Sequence, residues 1–233
     1  MEPITLCIEV ATNTSSWAWL KDVGLLLGGW FLGLMSSIVI DWHKQRLLVS
    51  EFQKAMAIEL RHLRFRVALN AFMDASATNS LNRTVVKTIK PALLDPQGVQ
   101  IDPEGLKAMR TVLEYDDEEL TQYCALTDLN TAGKGQARSK ESIHFVDSHR
   151  INFGKLNVEL QEKLFRLIRL IDIYNDSVVF FDKMFDVTFQ PGQTVNHDIA
   201  KGNIEDRRKA LVKPEVEIVE LSTDIINMTS KPH

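Results

Sequence analysis

Val23–Ile40 reads VGLLLGGWFLGLMSSIVI, eighteen residues with no ionisable side chain between Asp22 and Asp41. As a helix rising about 1.5 Å per residue, the run extends ~27 Å, close to the ~30 Å of a bilayer's hydrocarbon core. It is apolar on every side rather than along one stripe, the pattern of a helix surrounded by lipid. Trp17 and Trp19 precede it and Trp42 follows it, where amphipathic indoles suit the two headgroup zones. Lys21 can lay its stem along the helix and lift its ammonium into the interface, and Lys44 and Arg46 anchor the other end. The sequence therefore predicts one transmembrane helix over residues 22–42.

Three other readings compete. A core helix of a soluble protein is seldom apolar on all faces over this length. A cleaved signal peptide needs a basic start and a small-residue cleavage site, yet no Lys or Arg precedes Lys21 and no A-x-A pattern follows the run. An interfacial helix needs a polar face, which the run lacks.

Orientation follows from the basic residues. The N-terminal flank offers Lys21 alone, whereas Lys44, Arg46, Lys54, Arg61, Arg64 and Arg66 follow the span. Positive charge stays on the cytoplasmic side, so the N-terminus is expected outside and the C-terminus in the cytoplasm, at the inner or plasma membrane if the source is bacterial. Residues 1–21 are then a short extracytoplasmic tail. Its alternating Ile4, Leu6, Ile8 and Val10 suit a strand added to a partner or a tail resting on the membrane. Asn13-Thr14-Ser15 matches a glycan acceptor pattern.

Inside the span Gly24 and Gly28, then Gly29, Gly33 and Ser37, recur four apart. That spacing puts them on one helix face, where missing side chains let a second helix approach closely. The expected partner is a second copy or another membrane helix.

Residues 43–233 are expected to form a cytoplasmic helical domain, with helices at about 43–74, 103–115, 118–129, 155–187, 195–212 and 214–228. Phe52, Met56, Leu60, Leu63, Val67 and Ala71 form an amphipathic stripe that continues the membrane helix. Residues 75–102 look like a connection, with a short element around Val85 to Ile89. Asp102-Pro103-Glu104 reads as a helix start: a capping acceptor, a proline without need of an N–H, and an acid at the positive end. Leu156, Leu160, Leu164, Leu167, Ile171, Tyr174, Val178, Phe181 and Phe185 alternate in steps of three and four, a heptad-like coiled-coil stripe that Ile168 and Phe180 broaden, which fits packing inside a bundle better than a bare two-stranded coil. Gln190-Pro191-Gly192 should end that helix, and Pro214 should open the last one. Pairing the 41–74 and 155–187 helices antiparallel gives the expected fold class: all-α, a single N-terminal transmembrane helix followed by a helical bundle with long antiparallel helices.

The chain carries a formal charge of −4. Glu2, Glu9 and Asp22 against Lys21 give −2 over residues 1–40, leaving −2 for the rest, so the domain lacks the basic surface of a nucleic-acid binder. Cys7 and Cys124 fall on opposite sides of the span, so no disulfide joins them and both are read as free thiols.

Candidate chemistry is sparse. His144, Asp147 and His149 lie close together, but the histidines are five apart rather than the three or four that share an ion on one helix face. Asp116, Asp117, Glu118 and Glu119 point in different directions if helical, as a solvated helix end would. Gly133-Lys134-Gly135 lacks the Ser or Thr that follows a phosphate-loop lysine, and Asp128 stands where the first glycine belongs. Cys124 sits on an apolar helix face as a structural thiol. No catalytic residue, metal or cofactor is assigned. The leading expectation is a non-enzymatic, membrane-tethered interaction or scaffold protein that oligomerises through its span and presents its domain to a cytoplasmic partner. Alternatives are a membrane-perturbing effector assembled through the same span, and an enzyme built from scattered residues such as Glu118, His144, Asp147 and His149.

Overall fold

The computed structural model describes residues 18–95, 102–131, 139–188 and 197–230, and every regular element among them is helical. Expectations on the tail before residue 18 (Cys7, Asn13 and Trp17 included), on Gly133-Lys134-Gly135 and on Gln190-Pro191-Gly192 lie outside these residues. The described contacts divide the chain into two units, meeting between Leu48 and Val49.

Helix α1 spans Ala18–Ala77, 60 residues without an interruption. It stops because Asn79 takes a left-handed φ of 51°, which asparagine tolerates better than most side chains. The amides of Ser80 and Leu81 then fold back onto the Ala75 carbonyl at 2.9 and 3.0 Å, satisfying an acceptor that the helix end leaves open.

Asn82 starts the next helix, its side-chain oxygen accepting from the Val85 amide at 3.0 Å. Helix α2 covers Arg83–Leu94, a correction to the expected connection at 75–102. Pro91 lies in its last turn, so it removes only one ladder bond, while Val86, Ile89, Ala92 and Leu93 bury one face. Helix α3 is Pro103–Val112, with an Asp102 oxygen accepting from the Gly105 amide at 2.9 Å. Helix α4 is Asp117–Thr131.

A short helix α5, His144–Ser148, and a 3₁₀ turn, Arg150–Lys155, lead into helix α6, Val158–Thr188. Helix α7 runs unbroken over His197–Thr229 with Pro214 inside it, not as separate helices at 195–212 and 214–228. An interior proline costs about 3 kcal/mol. Leu211, Val212, Ile218 and Val219 are buried on either side of it, each contributing roughly 1.5–3 kcal/mol, so tertiary burial outweighs the local break.

Helices α6 and α7 pair antiparallel. Lys163 Nζ meets Asp224 at 2.7 Å, and Arg207 lies 4.2 Å over the Phe180 ring, so residue numbers rise on one helix as they fall on the other.

The expected antiparallel pairing of the 41–74 helix with α6 is not what the contacts show. Phe52 of α1 packs on Phe153, just before α6, with ring centroids 6.3 Å apart. Eighteen residues later on α1, Asn70 donates to the Tyr174 hydroxyl in mid-α6 at 3.3 Å. Both numbers rise together, so this part of α1 runs parallel to α6.

The reason lies in the chain between them. Glu141 binds Arg66 of α1 and Asn175 of α6, whereas Phe153 reaches Phe52, roughly 20 Å lower on α1 by helical rise. The segment from 141 to 153 thus runs back along α1 before α6 begins. One continuous core results, with Met56, Leu60 and Leu63 from α1, Leu164, Leu167 and Tyr174 from α6, and Ile218 and Ile225 from α7, all fully buried.

Candidate functional site: the exposed apolar helix

In the first unit, α1 presents Val23–Ile40 with every side chain exposed, including twelve large apolar ones. Leu25 and Leu26 are each 76% exposed, whereas Leu60 on the same helix is fully buried. Among the described residues this is the one helix long and apolar enough to cross a membrane. Leaving such a run in water forfeits roughly 1.5–3 kcal/mol for each large side chain, which surrounding lipid would recover.

The residues singled out inside the run share its surface. A Cβ added at Gly24, Gly28, Gly29 or Gly33 would meet no atom within 4 Å. Ser37 turns its hydroxyl back to the Leu34 carbonyl at 2.8 Å, which satisfies the donor without water. Trp19 and Lys21 fall inside α1. Past the run, Lys44 is exposed, and the Arg46 guanidinium lies 4.0 Å from the centroid of the Trp42 ring, joining two of the expected anchors.

The second unit gives the candidate chemistry other roles. Asp116 and Glu119 form a capping box: the Asp116 side chain accepts from the Glu119 amide, and Glu119 accepts from the Asp116 amide, both at 2.9 Å. The acidic run is therefore the start of α4, and the spacing of three between Asp116 and Glu119 was the sequence signal for it.

His144 and His149 are exposed and each holds a local serine: the His144 ring meets Ser142 Oγ at 2.8 Å, and His149 Nδ1 meets Ser148 Oγ at 2.9 Å. The structure does not bring them to one ion. Among the described residues no group of three or more His, Cys, Asp or Glu could hold a metal. Cys124 is buried, and that burial pushes its thiol pKa up, against a smaller lowering by a backbone hydrogen bond at Leu81. It is held as the unreactive thiol rather than the thiolate.

Two buried polar centres were missed by sequence reasoning. Glu141, only 2% exposed, accepts from Arg66 Nη2 at 2.6 Å and Nε at 3.0 Å. Its amide donates to Asn175 Oδ1 at 2.8 Å, and Asn175 Nδ2 donates back to its carbonyl at 2.7 Å. This network ties the returning segment to both long helices. Arg64 is buried and donates to Asp95 at 3.2 Å, beyond the end of α2; burial lowers its pKa while Asp95 opposes that shift. Pairs separated by 31 and 75 residues leave no periodic trace in a sequence.

Among the described residues one cleft, about 370 Å³, has Val85, Val212 and Val216 in its lining with Lys209, Lys213 and Glu217. A smaller one of about 160 Å³ lies beside Glu141, Asp172 and Asn175, where the Glu141 carboxylate is already committed to Arg66. Neither assembles a nucleophile with a base. Comparison with protein-family models, curated proteins and solved structures returned no match for this chain.

Proposed function

We propose that the chain is a membrane-tethered, non-enzymatic interaction protein. On this reading Val23–Ile40 crosses the bilayer with the N-terminus outside, and the helical second unit faces the cytoplasm as a bundle that docks a protein partner there. The observation that carries it is the complete exposure of an eighteen-residue run that is apolar on all sides. A soluble core helix with that composition would be covered by its own fold.

Pairing of spans through the face of Gly24, Gly28, Gly29, Gly33 and Ser37 completes the proposal. No described residue lies within 4 Å of a Cβ placed at these glycines, so on this reading a side chain there disturbs a neighbouring helix. Chemical crosslinking of the full-length chain in nanodiscs tests the pairing. Wild type should give crosslinked dimers, and Gly28→Leu with Gly33→Leu should remove them while helix content stays constant. Dimers that persist in the double variant would place the contact elsewhere.

A further inference from the structure

The cleft of about 370 Å³ lies between the turn that joins α1 to α2, the first turn of α2 and one side of α7. Its floor is apolar. Val212 is buried, while Val85 and Val216 pack against the core with part of each side chain still open. The volume falls within the range of small-molecule sites, roughly 300–1,000 Å³.

On the α2 side the polar groups are already committed. Ser80 Oγ shares a hydrogen bond with Thr78 Oγ1 at 2.8 Å. The Asn82 side chain accepts from the Val85 amide at 3.0 Å and donates to the Ser80 carbonyl at 3.2 Å. The α7 side differs. Lys209 and Lys213 are both exposed, and neither makes an ion pair among the described residues. Four apart on one helix, they are neighbours on one face, where like charges repel. An anion held between them would relieve that repulsion and gain from both. Glu217, half-buried one turn further along, likewise makes no ion pair among the described residues.

The α7 wall therefore runs from two cations at one end to one carboxylate at the other, above a floor of valines. We propose that this cleft binds an aliphatic monocarboxylate, its carboxylate on Lys209 and Lys213 and its chain along Val85, Val212 and Val216. From Lys209 to Val216 the helix rises ~10 Å, which accommodates a chain of medium length. Glu217 repels a second carboxylate at the far end, so a dicarboxylate of the same length is disfavoured. This binding does not depend on whether Val23–Ile40 crosses a membrane.

The test titrates sodium hexanoate into the full-length chain in nanodiscs, labelled at its valine methyl groups and read by NMR. The Val85, Val212 and Val216 resonances should shift and saturate. Affinity should rise from propanoate to hexanoate by roughly two- to fourfold for each added CH₂. Hexylammonium should leave the three resonances in place, and adipate should bind more weakly than hexanoate, a gap that Glu217→Gln should close. Lys209→Gln with Lys213→Gln should weaken hexanoate about tenfold through the loss of two exposed charge contacts. Both lysines are exposed, so thermal unfolding of that variant should match wild type. Shifts that stay linear in concentration, hexylammonium matching hexanoate, adipate binding as tightly as hexanoate, or full affinity in the double-lysine variant would overturn the proposal.

Discussion

The run Val23–Ile40 and the inward stripe of α6 are both rich in large apolar residues, yet they have opposite fates. Along α6 the apolar residues return every three or four positions, and the side chains from Leu160 to Phe181 on that spacing are buried. In Val23–Ile40 they fill twelve of eighteen positions, on every side of the helix, and all remain exposed. A stripe can be satisfied by one neighbouring helix, but a helix apolar all round needs neighbours on every side. On the proposed reading, the period of the pattern, more than its apolar content, decides whether protein or lipid completes a helix.

Leu164→Ala and Leu32→Ala sharpen that contrast. The first removes a fully buried side chain and should cost ~2–5 kcal/mol, read as a lower thermal midpoint by circular dichroism. The second should leave that midpoint unchanged. Leu32→Arg tests the other side: a charge at mid-span costs ~2.5–3.5 kcal/mol on insertion, and the membrane-bound fraction should fall while the second unit unfolds as in wild type.

Smaller effects test the polar ties within the second unit. Glu141→Gln weakens the charged bond to Arg66 in a buried place and should cost ~1–3 kcal/mol in urea unfolding. Asp116→Ala removes the cap of α4 and should cost ~1 kcal/mol. The smallest effect is alkaline. Because burial raises the Cys124 pKa, the unfolded thiol loses its proton first as pH rises. Stability should therefore decline above about pH 8.5, and more steeply in wild type than in Cys124→Ala when unfolding midpoints are compared from pH 7 to 10.

The all-helical character and the one long apolar helix were legible because both are patterns along a single element. What the sequence hid depends on contacts between elements. Pro214 looked like a helix boundary, but buried neighbours on both sides carry α7 through it. Asn79 and Asn82 looked like loop residues; one ends α1 and the other caps α2, with only a short turn between. The parallel course of α1 and α6 was hidden because the segment that turns back, 141–153, lacks a strong period of its own and is fixed by the Arg66–Glu141–Asn175 ties. At the candidate site, the length and apolar composition of the run could be read from the sequence alone. The capping role of Asp116 and Glu119 could have been, and was obscured by four consecutive acids.

Alkaline carbonate extraction of membranes from cells making the full-length chain tests most directly whether lipid surrounds Val23–Ile40. The protein should remain in the membrane pellet with integral proteins, and Leu32→Arg should shift toward the supernatant. Wild-type protein released by carbonate, or found in the supernatant after lysis without detergent, would contradict it.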